Sequence, residues 1–229
     1  MSRSGQPTTR RTDAYFTASF EVARRLAAGR GDEAIELLRR ELKRVQDVDE
    51  VVGQRFLLSQ IAVCHARMGN VAAAREVLEE MDRRMPLDVE TGLMLAEGYL
   101  HLVEDPERAS HHAALALQWT EEQEQGYEAP ETLSRAQALL ARAMLASNDM
   151  LGALGAWQAS PLPSWRVAIE LIEAGADSRQ IRVVLIESIP RHVEFELRQG
   201  ASAVASSDQI KRLISWIDDG CPRISTPST

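Results

Sequence analysis

Cysteine, lysine and aromatic residues are scarce in this sequence of 229 residues. Only Cys64 and Cys221 carry thiols, which excludes a disulfide framework and a cysteine-based metal cluster. No run of roughly eighteen apolar residues occurs, as a membrane-spanning helix would need. No apolar run of signal-peptide length follows the first arginines either. We therefore expect a protein of the cytoplasm that does not contact a membrane.

Positive charge is outnumbered by negative charge, at 26 Lys and Arg against 34 Asp and Glu, which gives a formal net charge of −8 at pH 7. Because contacts to nucleic-acid phosphates need clustered Lys and Arg, this balance argues against a nucleic-acid partner. The exception is residues 1–12, which hold arginine and no acid, and we expect them to form a disordered basic tail. Lysine occurs only as Lys43 and Lys211. The arginine excess fits carboxylate recognition, but a GC-rich genome explains it equally and is the interpretation we favour.

Motifs of the common enzyme classes are also missing. The sequence contains no Gly-rich phosphate loop, nucleophile elbow, HExxH or CxxC. Glu97 and His101, and likewise Glu107 and His111, stand four residues apart and could begin a metal site. His111 and His112 point roughly 100° apart on a helix, however, and the remaining ligands are too few. We interpret the histidines as ordinary surface or packing residues, and we expect no catalytic residue, metal or cofactor.

Helix formers dominate what is present. Hydrophobic residues make up 45% of the chain and aromatic residues only 5%, with alanine and leucine the main contributors. Apolar residues recur every three or four positions, between breaks at Gly, Pro and Asn. The predicted helices cover residues 13–28, 50–68, 71–84, 88–103, 106–124, 130–146 and 150–158, and a further helix after Asp32 carries Ile35, Leu38 and Leu42 on its apolar face. Asp32 is the expected N-cap of the second helix.

Three elbows between helices share one pattern, in which a helix stops at Gly or Asn and the next begins at once. They lie at Ala27–Leu38, Ala66–Leu78 and Ala146–Trp157. An alanine stands opposite each elbow, and Ala109 aligns with these three alanines. A second aligned residue, which is alanine in three of the four cases, precedes each of them by twelve or thirteen positions. The aligned positions are Ala34, Ala74, Ala109 and Ala153, preceded by Val22, Ala62, Ala96 and Ala141.

This pattern resembles the tetratricopeptide repeat, over roughly residues 15–160. The second unit follows the repeat of about 34 residues most fully, with Ala62, Gly69, Ala74 and Pro86 in place. The resemblance implies an all-α fold for residues 13–160: a right-handed superhelical array of about four antiparallel helix pairs. Small residues in each helix let the paired backbones approach closely.

Residues 161–220 are predicted to be additional C-terminal helices that cap the array or form an interface, followed by a flexible tail at 221–229. We expect Pro190 to begin one of these helices, with Ile189, Val193 and Leu197 on its apolar face. The alternation in residues 192–197 also fits a strand, but the four-residue spacing favours a helix.

The resemblance also implies that the first helix of each pair lines a concave groove. Arg135 and Arg142, two turns apart on one helix, suit an acidic or C-terminal peptide, or else they pair with neighbouring acids. Trp165 follows the proline-rich break and is expected to pack in the core or between helices, with an exposed anchor as the alternative that makes it a candidate partner-binding residue. The groove positions carried over are Phe56, Ser59, Val63, Arg67, Glu90, Leu93, Glu97, His101, Arg135, Ala138 and Arg142. The predicted partner-binding residues are Arg67, Glu97, His101, Arg135, Arg142 and Trp165.

Two functional hypotheses follow. The first is a non-catalytic adaptor or scaffold that binds a peptide or protein partner in its groove. The second is a structural subunit of a homo- or hetero-oligomer, assembled through the C-terminal helices.

Overall fold

The structure, a computed structural model, describes residues 19–122, 129–199 and 206–221. Within these ranges the chain forms eleven α-helices and no strand, which confirms the prediction of an all-α fold. The helices are α1 (residues 19–27), α2 (Gly31–Gln46), α3 (Val51–Arg67), α4 (Val71–Arg84), α5 (Val89–His101), α6 (Pro106–Glu122), α7 (Ala129–Ala146), α8 (Met150–Gln158), α9 (Trp165–Glu173), α10 (Ser178–Gln199) and α11 (Ser206–Asp218). The predicted tail at 1–12, and all of 221–229 except Cys221, lie outside the described residues.

The helices group into two compact units that divide between Asp105 and Pro106. In the N-terminal unit, α3 packs against α2, α4 and α5, and α4 contacts α5. In the C-terminal unit, α7 packs against α6, α8 and α9, while α9 contacts α8, α10 and α11. The predicted repeat segment, 13–160, contributes helices to both units. No helix in the described ranges has the length and apolar composition needed to cross a membrane.

The three predicted elbows share one backbone geometry. The helix ends at a residue in the left-handed region, with φ of 71° at Gly29, 76° at Gly69 and 61° at Asn148. The next backbone N–H then donates to the carbonyl five residues earlier, as Asn70 does to His65 at 2.9 Å. This pattern is the Schellman ending, which satisfies carbonyls that the helix leaves without a donor. Glycine adopts this conformation without strain, and asparagine does so more readily than most residues.

Side-chain caps begin the helices after two of these elbows. The Oδ1 atoms of Asn70 and Asp149 accept hydrogen bonds from the third residue of α4 and α8. The expected cap at Asp32 is wrong, because α2 already begins at Gly31 with Arg30 at the cap position. Asp32 instead lies in the first turn, where a carboxylate favours the positive end of the helix dipole.

The small residues that define the repeat are all buried, with 0–3% of their surface exposed. Alanines at these positions let neighbouring helices pack closely. The side chains one turn after the elbow alanines are buried too, as the 0% exposure of Leu38 and the 1% exposure of Leu78 and Trp157 show. The buried positions are Val22, Ala34, Ala62, Ala74, Ala96, Ala109, Ala141 and Ala153.

The prediction for residues 189–197 is wrong in two respects. Pro190 lies inside α10 and does not begin a helix. The helix continues because Pro190 is exposed, so the carbonyl that loses its N–H donor can bond to water. The predicted apolar face is largely turned outward, since Val193 is 36% and Leu197 is 78% exposed. The inward residues of α10 are Ile181, Leu185, Ser188 and His192.

One side of α1 is packed, because Val22 is 3% exposed, whereas Phe20 is 79% exposed. Side chains two positions apart on a helix point in directions that differ by roughly 200°, so burial of Val22 turns Phe20 towards solvent. The earlier part of this predicted helix lies before residue 19, outside the described residues.

Candidate functional site

An open groove in the C-terminal unit is the strongest candidate site. It has a volume of about 720 Å³ and is formed by α7, α9 and α10 with the segment between α8 and α9. We call this surface the C-terminal groove. The lining residues used below are Arg135, Ala138, Leu162, Trp165, Arg166, His192 and Phe195.

The proline-rich segment 160–164 forms one wall because hydrogen bonds hold both of its ends. The Ser134 hydroxyl donates to the carbonyl of Pro130 at 2.6 Å and accepts the Leu162 N–H at 3.0 Å, which ties the segment to α7. At the other end, Nε1 of the buried Trp157 donates to the Ser164 carbonyl at 2.9 Å. These bonds place the start of α9, and therefore Trp165, beside the groove.

Trp165 is half-buried, since its ring packs against the hydrophobic core while one part lines the groove. The guanidinium carbon of the exposed Arg166 lies 5.3 Å from the centre of this ring. At that distance the cation is attracted to the aromatic face. The groove therefore presents an aromatic surface with positive charge beside it.

His192 is the one buried ionisable side chain among the described residues that line the groove, with 6% of its surface exposed. Its Nε2 atom is buried and has no protein hydrogen-bond partner. Burial lowers the pKa of His192, and the Pro163 backbone and Glu196 offset only part of that effect.

A smaller apolar slot of about 190 Å³ adjoins the groove and shares Leu162 and Phe195 with it. Pro130 and Pro161 complete its apolar walls. Charged side chains of α10 surround its opening. These are Arg191, Glu194 and Arg198, of which Arg198 donates to Glu194.

The two arginines predicted to bind a partner from α7, Arg135 and Arg142, lie in different environments. Arg135 is exposed and lines the groove together with Ala138 and Trp165. Arg142 instead forms a bidentate ion pair with Glu170 of α9, with Nε–Oε2 at 2.8 Å and Nη2–Oε1 at 2.7 Å. The alternative that an arginine pairs with a neighbouring acid therefore applies to Arg142. Trp165 is half-buried, because it packs against the core, as expected, and also lines the groove.

The other predicted residues lie in the N-terminal unit. Arg67 is exposed at the end of α3 and lines a shallow depression with Met68 and the start of α2. Glu97 is half-buried and His101 is exposed, both on α5. Leu93, carried over as a groove position, is 1% exposed, so its side chain belongs to the core of this unit.

Groups for metal or covalent chemistry are not assembled in the described parts of the chain. No cluster of three His, Cys, Asp or Glu side chains there could hold a metal ion. His111 and His112 meet edge to face with ring centres 5.3 Å apart, which agrees with their divergent directions. Burial raises the pKa of the Cys64 thiol and so keeps it protonated and unreactive.

Three groove residues escaped the sequence reasoning, namely His192, Phe195 and Arg166. Each is separated by a helix or more from Arg135, so only the fold brings them together. A local signal did exist for one wall, because the proline-rich break directly before Trp165 marks an irregular segment beside an aromatic residue.

The chain was compared with models of protein families, with curated proteins and with solved structures. No family model, curated protein or solved structure matches it.

Proposed function

We propose that this protein is a non-catalytic interaction module that binds a peptide segment of a partner protein in the C-terminal groove. The observation that carries the proposal is the convergence of Trp165, Phe195 and Arg135 on one groove. Concave surfaces with apolar walls and a few placed polar groups are typical binding sites.

A peptide fits the groove better than a reacting small molecule does. The groove is open and continues into the apolar slot, so an extended chain can lie across both. Ser134, a hydroxyl in the groove wall, is committed to Pro130 and Leu162 and is therefore not an activated nucleophile. Aromatic and arginine side chains at such surfaces commonly supply most of the binding energy.

The architecture we propose around this site is a TPR-like superhelical array of helix pairs in a cytoplasmic protein. Its support is the recurring elbow, the buried small residues on either side of it, and the two free cysteines. Helix pairs of this kind build extended binding surfaces in repeat proteins.

Selection from a displayed library of random twelve-residue peptides tests the proposal, with the full chain as bait. Trp165→Ala is compared with Trp216→Ala, because both tryptophans pack partly buried against the same core cluster but only Trp165 lines the groove. We expect enriched peptides whose affinity falls at least tenfold in Trp165→Ala alone. Absence of enrichment, or equal losses in the two variants, would contradict peptide binding in this groove.

A structural-subunit role is the second candidate, favoured by the outer face of α10. Val183, Ile186, Val193 and Leu197 are exposed by 52%, 40%, 36% and 78%. With the exposed Pro190 they follow the spacing three, four, three, four along the helix, which is the spacing of helices that pack side by side. A second copy of the chain would cover this stripe.

Light scattering as a function of concentration tests this second role. We expect wild-type protein to form a dimer that Leu197→Glu abolishes, whereas Glu187→Gln, a change of the exposed surface beside the stripe, preserves it. A monomer at all concentrations would remove the support for self-association.

A further inference from the structure

We propose that the C-terminal groove selects an acidic peptide segment that places one bulky apolar side chain in the slot. This inference rests on the proposed function and adds the chemistry of the ligand.

Charge complementarity is the first argument. The groove and slot together hold four arginines and two glutamates, a local excess of two positive charges on a chain whose net charge is −8. An acidic peptide is attracted to this surface, whereas the rest of the chain repels it on average. The charged residues are Arg135, Arg166, Arg191, Arg198, Glu131 and Glu194.

The slot limits the size of the apolar group. Its volume of about 190 Å³ is smaller than the roughly 300–1,000 Å³ of sites that enclose a drug-sized ligand. Pro130, Pro161, Leu162 and Phe195 supply carbon-rich walls, so one leucine or aromatic side chain is the appropriate occupant. Because Leu162 and Phe195 also line the groove, such a side chain can enter while the peptide backbone remains in the groove.

The first experiment compares three displayed peptide libraries with the same random apolar positions and with Glu, Gln or Lys at the fixed positions. We expect the Glu library to enrich most strongly, and binding of its peptides to weaken as salt is added. Enrichment from the Gln or Lys library to equal or higher affinity, with Trp165 still required, would overturn the acidic specificity while leaving the proposed function standing. If no library enriches, both fail.

The second experiment measures the binding of fluorescently labelled peptides from the Glu library to variants in which arginines are replaced by glutamate. Arg135→Glu/Arg166→Glu should weaken binding at least tenfold. Arg179→Glu/Arg212→Glu, an equal charge change at exposed positions that do not line the groove, should not. An equal effect of the two double variants would overturn the local charge argument. A labelled oligonucleotide that binds as tightly as the peptides would overturn the choice of a peptide ligand.

Discussion

Gly98 lies in α5 where this helix packs against α4, and we expect Gly98→Ala to destabilise the N-terminal unit. A Cβ atom built at Gly98 would lie 2.6 Å from Cδ2 and 3.1 Å from Cδ1 of Leu78. Leu78 is 1% exposed, so its side chain has no open space into which to turn. The added methyl group must therefore push the two helices apart or force Leu78 out of its rotamer.

The magnitude follows from two opposing effects. Overpacking a tight core costs about 1–3 kcal/mol. Replacement of glycine by alanine within a helix stabilises the helix by about 1 kcal/mol. We expect a net loss of about 1 kcal/mol in the free energy of unfolding. For a unit of this size, that loss corresponds to a melting temperature lower by about 4–8 °C.

Gly155→Ala is the matched control, because Gly155 is also inside a helix but a Cβ there meets nothing within 4 Å. It should raise stability by about 0.5–1 kcal/mol. Calorimetry distinguishes the two variants and detects separate unfolding of the two units. In addition, Leu78→Ala should cost less in the Gly98→Ala background than in wild type. Stabilisation of similar size by both glycine replacements would refute the close approach of α4 and α5.

Three further predictions concern charged groups and pH. Arg142→Ala should lower stability by about 1 kcal/mol in thermal unfolding, because it breaks a partly exposed bidentate pair, whereas Arg135→Ala should change it little. Asp88→Ala should cost about 2 kcal/mol in denaturant unfolding and Asp88→Asn less, because asparagine keeps the cap of α5 but loses the ion pair to α3. Burial lowers the folded-state pKa of both His65 and His192 below 6.5. As the pH falls, the unfolded chain therefore takes up protons at a higher pH than the folded chain does, and stability should fall as pH drops below about 6.5. Chemical unfolding at about pH 7.5 and about pH 5.5 checks this, and His192→Gln should reduce the difference; no difference between the two pH values would contradict the burial argument.

The helices and elbows were predictable because their signals are local. Gly69 followed by Asn70 specifies a left-handed ending and a cap within two residues, and the structure has both. The boundaries of α4 and α8 agree with the predicted ranges for the same reason. Pro190 misled the prediction because its effect depends on exposure. Pro190 lies on the solvent-facing side of α10, and the helix continues past it.

The groove was only partly predictable because its residues come from distant parts of the chain. Arg135 and Trp165 were chosen for their chemistry and do meet in the structure. Arg142 had equal chemistry, but Glu170 lies within reach and pairs with it. His192 of α10 lines the groove beside residues of α7 and α9, and no periodicity in α10 indicates that position.

Hydrogen–deuterium exchange of the full chain, with and without a peptide enriched from the Glu library, tests the central claim most directly. If the peptide lies in the C-terminal groove, protection should increase in residues 130–138, 161–166 and 191–198, and exchange in α2–α5 should remain unchanged. Protection confined to α2–α5, or unchanged exchange at saturating peptide, would contradict the assignment of peptide binding to this groove.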